Sequence, residues 1–270
     1  MAASFAAIIT AAGSSTRMRS FAASSTTEVP GKDPVKKEYL PLGPDRCDGE
    51  GKPLTVLGAA VLAFTGFDEI GLIVVTVPAD GEAAARAALP RGLREPPLRS
   101  RVPPILFTCG GPSRRESVYR ALSFLRSGEF SDPAPAWAPQ WVLIHDGARP
   151  WVSAELIRRV MDAVIRHDAV IPLVPLLETP KELGEGGFIL RHLRRSRLGL
   201  AQTPQAFAFP RILHAHEWAA HEWAAHERAG DYTDDAEIWG EFCGPVATVP
   251  GERDNRKITY AEDLCNRLLP

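Results

Sequence analysis

Two kinds of hydrophobic pattern alternate along this chain. Short continuous apolar runs recur at Phe5 to Thr10, Leu72 to Val77, Ile105 to Cys109, Trp141 to Ile144, Val170 to Leu177 and Val246 to Val249. A continuous β-branched run such as LIVVTV predicts a strand buried on both faces. The run from Val170 to Leu177 carries two prolines, which predicts a place near a sheet edge. Between these runs the spacing becomes helical. Leu156, Ile157, Val160, Met161, Val164 and Ile165 fall on one helical face, with Ser153 where an N-cap belongs. Ser113-Arg-Arg-Glu116 reads as a capping box opening a helix that buries Val118, Leu122 and Leu125. Thr259-Tyr-Ala-Glu262 predicts the same device on a final helix. Strand and helix patterns in turn predict an α/β domain around a mostly parallel sheet.

Polar and proline-rich stretches interrupt this order. Arg19 to Lys36, Leu89 to Pro104 and Ser127 to Gln140 read as loops decorating one domain that spans residues 1–270. One tandem repeat stands out, His216-Glu-Trp-Ala-Ala, His221-Glu-Trp-Ala-Ala, His226-Glu-Arg-Ala. A zinc-binding helix needs histidines at i and i+4; a spacing of five turns successive rings about 140° apart. The repeat therefore predicts a lengthened surface helix, not a metal site.

Composition narrows the class. With 31 basic and 33 acidic residues the chain carries a formal net charge of −2, which argues against a nucleic-acid partner. The basic set is 25 Arg against 6 Lys, so the position of each lysine carries information. The four cysteines, at 47, 109, 243 and 265, form no Cys-x-x-Cys pair and suggest neither a zinc nor a redox site. No apolar run approaches the roughly 20 residues that span a bilayer. Met1 to Ala12 lacks a basic leader, so no secretory signal is read and a cytoplasmic enzyme is expected.

Candidate chemistry sits at predicted strand ends. Ala11-Ala12-Gly13-Ser14-Ser15-Thr16-Arg17-Met18 follows the first strand, and small residues there let backbone N–H groups approach a phosphate. Arg17 adds a fixed positive charge to that turn. Lys36-Lys37-Glu38-Tyr39-Leu40 is a second polar cluster, of a kind more often found simply on a surface. His145-Asp146-Gly147-Ala148-Arg149-Pro150 ends the fourth run, where open α/β sheets place ligands. Asp146 there suits a magnesium ion, a ribose hydroxyl or a turn cap. Gln202-Thr203-Pro204-Gln205-Ala206-Phe207, Tyr232-Thr233-Asp234-Asp235-Ala236 and Gly251 to Thr259 complete the set. Each one alone reads equally well as turn chemistry.

Together and in this order the motifs resemble the 2-C-methyl-D-erythritol 4-phosphate cytidylyltransferase family of the non-mevalonate isoprenoid route. The match runs from Phe5 to about Leu268 through Ala-Ala-Gly-x-x-x-Arg-Met, Lys-x-Tyr-Leu, Gly-Gly-x-x-Arg-x-x-Ser-Val, His-Asp-x-Ala-Arg-Pro, Thr-Pro-Gln-x-Phe, Thr-Asp-Asp and Asn-x-Lys-Ile-Thr. The resemblance implies a Rossmann-like, mostly parallel twisted sheet of the nucleotide-diphospho-sugar transferase kind. It also implies a protruding β-arm at about 175–198 that pairs two subunits. It implies cytidylyl transfer from CTP to the sugar-alcohol 4-phosphate, with magnesium bound mainly through the CTP phosphates. Arg17, Lys37, Arg195 and Lys257 match the family's catalytic positions. Ala11, Ala12, Gly13, Ser14, Ser15, Thr16, Gly110, Gly111, Ser117 and Asp146 match its CTP contacts, Asp146 also lying near the metal. Arg149, Thr179 and Asp254 match the sugar-phosphate side, with Thr179 and Arg195 on the arm. The likeness implies a homodimer sharing its active sites, with no nucleic-acid or membrane partner.

The chain departs from the family pattern in places. Arg19 to Lys36 is longer than this loop usually is, and Lys36 stands where the family usually has Pro. Gly199 stands where Trp is common, and Arg195 is placed by counting back from Thr203, so Arg197 is an alternative. A ribitol 5-phosphate cytidylyltransferase, or a nucleotide-binding module without catalysis, are the rival readings. The final predicted helix ends close to Pro270, so a fused next-step enzyme is not expected.

Overall fold

The computed structural model describes residues 4–13, 36–43, 46–95, 101–128, 138–225, 232–260 and 262–265. Ser14, Ser15, Thr16 and Arg17 lie outside these residues, as do His226 and parts of all three expected loops.

Strands β1 (Phe5–Thr10), β2 (Ile70–Val77), β3 (Ile105–Cys109), β4 (Trp141–Asp146), β5 (Ala169–Pro175), β6 (Lys181–Leu183), β7 (Ile189–His192), β8 (Gly199–Ala201), β9 (Gln205–Ala208) and β10 (Ala247–Pro250) carry the architecture. The main sheet runs β10-β5-β9-β4-β1-β2-β3, with β8 also on β5. Parallel pairing joins β1 to β2 and β4, β2 to β3, and β5 to β10, while β8 and β9 run antiparallel to their neighbours. All six expected strands are present within two residues of their predicted ends. The proline-bearing β5 is no edge strand: it sits one strand inside the β10 edge, paired on both sides. β3 is the other edge, which explains why it is only half-buried although its sequence reads as a core strand.

Helices α1 (Val56–Leu62), α2 (Glu82–Ala88), α3 (Arg91–Arg94), α4 (Arg114–Ser127), α5 (Ala154–His167), α6 (Phe209–Ala225), α7 (Asp235–Phe242) and α8 (Glu262–Cys265) cover both faces. The alternation of β1 divides the core: Phe5, Ala7 and Ile9 meet α1, α2 and α5, while Ala6 and Ile8 meet α4, α6 and α7. Two of the three predicted N-caps form as read. Ser113 Oγ accepts from Glu116 N at 3.2 Å, and Ser153 Oγ accepts from Leu156 N at 2.9 Å.

Four details differ from the sequence reading. Ile165 is 53% exposed, because α5 turns only Leu156, Ile157, Val160, Met161, Ala163 and Val164 inward. At α8 the returning carboxylate is Asp263, not Glu262: Asp263 Oδ2 accepts from Thr259 N at 2.7 Å and Tyr260 N at 2.8 Å. Part of the expected Leu89 to Pro104 loop is the short helix α3. The repeat lies on α6, but its first histidine is no surface group. His216 is fully buried, with Nε2 3.2 Å from Asp235 Oδ1.

Candidate active site

The carboxyl ends of β1 and β4 define the site. Strand order reverses between these two neighbours, and open α/β sheets bind ligands at such a point. Register places Thr10 opposite Asp146, so the Ala11–Gly13 turn and the Asp146–Arg149 loop leave the sheet side by side. The Gly110-Gly111 turn joins them from the end of β3. A Cβ on Gly110 would lie 2.2 Å from Ala12 Cβ and 2.8 Å from Ser117 Oγ, so only glycine permits this approach. Ser117, buried on α4, accepts from Gly111 N at 3.0 Å and has the Ser113 carbonyl at 2.8 Å. Its hydroxyl thereby ties the glycine turn to the start of the helix.

Asp146 is the electrostatic centre. Its Oδ2 lies 2.9 Å from Lys257 Nζ and 3.4 Å from Arg149 Nε, and its Oδ1 lies 3.3 Å from Arg114 Nε. Burial alone would raise its carboxyl, but the charges of Lys257, Arg114 and Arg149 hold it well below the usual carboxylate range. It is an anion inside a cationic basket. Lys37, on the one-turn 3₁₀ segment Lys37–Tyr39, donates to the Ile258 carbonyl at 2.7 Å, next in chain to Lys257. Lys36 donates to the Ala11 carbonyl at 2.6 Å.

The loop bearing Lys257 is docked by backbone rather than by packing alone. Arg149 Nη1 donates to the Asn255 carbonyl at 2.8 Å, and Ile258 N donates to the Ala148 carbonyl at 2.8 Å. Asn255 is fully buried and donates to the Thr203 carbonyl at 2.8 Å. Gln202 donates to the Glu252 carbonyl at 2.7 Å. Thr203 Oγ1 accepts from Asp146 N at 3.1 Å and lies 2.9 Å from His145 Nδ1. His145 Nε2 lies 3.1 Å from the Arg149 carbonyl, which can only accept, so Nε2 carries the proton and Nδ1 accepts from Thr203. Burial pushes the His145 pKa down to about 4, so this imidazole stays neutral and braces the loop.

Of the expected site residues, the structure therefore gathers Ala11, Ala12, Gly13, Lys37, Gly110, Gly111, Ser117, Asp146, Arg149 and Lys257 around one sheet end. Asp254 is exposed on the Lys257 loop, where its carbonyl accepts from Arg256 N. Thr179 and Arg195 stand apart on the arm. Both are exposed, and Arg195 donates to the Leu177 carbonyl. Arg114 and Asp235 lie inside two of the sequence motifs but were given no site role there. Arg114 Nη1 donates to Asp235 Oδ2 at 2.7 Å while its Nε faces Asp146. Among the described residues no three His, Cys, Asp or Glu side chains gather as a metal site, and no helix is long and apolar enough to cross a membrane.

Comparison with known proteins agrees with this geometry. The model of the 2-C-methyl-D-erythritol 4-phosphate cytidylyltransferase (IspD) family matches residues 48–267. The bifunctional enzyme IspD/IspF of Brucella abortus is 35% identical over 211 residues, covering 77% of this chain and 48% of that protein. The chain thus spans about half the length of the curated relatives it matches. Two solved structures cover nearly all of it. The 4-diphosphocytidyl-2C-methyl-D-erythritol synthase of Anaerococcus prevotii matches at TM-score 0.66 and 25% identity, over 97% of this chain and 94% of its own. The 2-C-methyl-D-erythritol 4-phosphate cytidylyltransferase of Thermus thermophilus matches at TM-score 0.64 and 27% identity, over 96% and 95%. On this breadth of match, the chain belongs to the 2-C-methyl-D-erythritol 4-phosphate cytidylyltransferase family.

Proposed function

We propose that this chain transfers the cytidylyl group of CTP to 2-C-methyl-D-erythritol 4-phosphate and releases pyrophosphate. The observation that carries this reading is the cluster of Lys257, Arg149, Arg114 and Lys37 around the β1–β4 crevice, with the glycine turn opposite. An oxygen of the 4-phosphate attacks the α-phosphorus, a new P–O bond forms, and the α–β bridge bond breaks with its electron pair leaving on pyrophosphate. The nucleophile is already an anion, so no general base is required. What the step needs is alignment of two anions and cancellation of their charge.

The residues divide that work. The Ala11–Gly13 backbone and the glycine turn at 110–111 cradle the nucleotide. Lys37, with Arg17 from the same segment of sequence, offsets charge on the triphosphate. Lys257 and Arg149 receive the second phosphate, and Asp146 keeps both cations in place between turnovers. Asp254 lies on the same loop and faces solvent on the sugar side. Among the described residues no cluster of protein ligands awaits a metal, so a magnesium ion would enter as a guest of the triphosphate. Asp146 would supply one carboxylate oxygen, and phosphate oxygens the rest, which is how this ion commonly binds. When bound it neutralises triphosphate charge.

The enzyme acts as a homodimer in this reading. The arm carries Leu183, Phe188, Ile189, Leu190, Leu198 and Leu200 exposed to solvent, an apolar surface that a second copy would cover. Thr179 and Arg195 would then serve the neighbouring site. Pyrophosphate release from CTP, with each sugar phosphate offered alone, tests the substrate. Turnover with 2-C-methyl-D-erythritol 4-phosphate and little with ribitol 5-phosphate is expected. Faster turnover with ribitol 5-phosphate would replace this substrate with its rival.

A further inference from the structure

The Thr233-Asp234-Asp235 motif and the buried His216 have no part in the chemistry above, yet they reach the site through one side chain. Arg114 is the first residue of α4, directly after its Ser113 cap. A cation in the first turn opposes the helix dipole, so this position is unfavourable for the helix itself. The guanidinium is instead shared between two carboxylates: Nε faces Asp146 Oδ1 at 3.3 Å and Nη1 faces Asp235 Oδ2 at 2.7 Å. Asp235 is fully buried at the start of α7, and its other oxygen lies 3.2 Å from buried His216 Nε2 on α6. The α7 start is pinned as well. Gln205 donates to Asp234 Oδ2 at 2.8 Å and accepts from Ala236 N at 3.2 Å. The second carboxylate of the motif thus sits on a fixed mount.

We propose that Arg114, anchored from behind by Asp235, is a positioning residue that fixes the Asp146 carboxylate and, through it, Lys257. The inference rests on the cytidylyl-transfer reading. Lys257 and Arg149 both address Oδ2, and Arg114 alone of the three addresses Oδ1. Holding Oδ1 stops the carboxylate from turning. It keeps Oδ2 facing the two cations that receive the sugar phosphate. A planar fork holds two carboxylates in a fixed relative orientation, which the rotating ammonium of a lysine does not.

Two variants test this. Arg114→Lys keeps the charge but loses the bridge. The pair Arg114→Met with Asp235→Asn removes both charges together, so no buried ion is left alone and folding is retained. Both should fold, by circular dichroism and melting temperature. Both should lose about 10- to 100-fold in kcat/KM for the sugar phosphate, while the CTP dissociation constant, measured without sugar phosphate, moves less than about threefold. A crystal structure of the double variant reads the same point without turnover: the Asp146 carboxylate should be rotated away from Lys257. An unrotated carboxylate, wild-type kinetics in the folded double variant, or a collapse of CTP binding with the sugar-phosphate dependence unchanged would each overturn the proposal. If the wild-type enzyme releases no pyrophosphate with the sugar phosphate while the carboxylate still turns in the variant, it is the reading of the reaction that fails and not the role of Arg114.

Discussion

Two lysines near the crevice are held in different ways, and the difference predicts different defects. Lys257 Nζ rests 2.9 Å from a carboxylate and about a third of its side chain is exposed, so an incoming phosphate exchanges one anion for another. Lys37 Nζ is braced by the Ile258 carbonyl, next in chain to Lys257, and stands in the segment that the proposed reading sets against the triphosphate. Lys37→Ala should therefore cut kcat by about 10²-fold or more, the scale of losing one aimed charge in a dry site. Lys257→Ala should act mainly on the KM for the sugar phosphate. Steady-state pyrophosphate release with each substrate varied in turn separates the two; an unchanged sugar-phosphate dependence in Lys257→Ala would remove that role. Both lysines were legible in the sequence because each lies inside a short local motif. The role of Arg114 was not. Its two carboxylates stand 32 and 121 positions away, and only the fold brings them to one guanidinium. His216 was misread for the same reason. Spacing along one helix says nothing about burial once Asp235 closes over the ring from another helix.

Strands and helices were legible wherever period and cap agreed. The α5 helix begins where Ser153 caps it, and Ser153 Oγ also donates to Glu252 Oε1 at 2.9 Å, which ties the cap to the Lys257 loop. Less legible were features set by neighbours: β3 reads as a core strand but is an edge, and the α8 cap is one residue later than its motif suggests. The site at this scale is a contact between turns after β1 and β3. Gly110 is where they touch, and any side chain there meets Ala12 Cβ and Ser117 Oγ below van der Waals distance. Gly110→Ala should push the two turns apart. The strands below are held by parallel ladders that do not depend on this contact, so the fold should survive with a loss of about 1–3 kcal/mol. CTP affinity should fall about tenfold or more, since the floor of the crevice is what moves. Calorimetric titration with CTP beside thermal melting checks it, and a large melting loss with unchanged CTP affinity would place Gly110 in the core rather than in the site.

Among the described residues most of the exposed large apolar side chains gather on the arm. β6 and β7 form a separate two-stranded sheet, and β8 leads back onto β5. An isolated two-stranded ribbon is marginal in water, and this one exposes Phe188 at 79% along with Leu183, Ile189 and Leu190. Such a ribbon gains its order from what covers it. In the proposed reading a second copy of the chain is that cover, and it would account for Thr179 and Arg195, placed by family likeness among site residues, standing on the arm and not beside Asp146. Phe188→Asp combined with Leu190→Asp should then split the dimer without unfolding the main sheet, because neither side chain belongs to its core clusters. Sedimentation should show wild type as a dimer and the variant as a monomer at micromolar concentration. The variant's turnover should fall with dissociation and recover in part at higher protein concentration, since reassociation restores the neighbour's arm. A wild-type protein that sediments as a monomer at full activity would sever the arm from the site. So would a dissociated variant with unchanged turnover, because it would mean that a single chain holds every group the reaction uses.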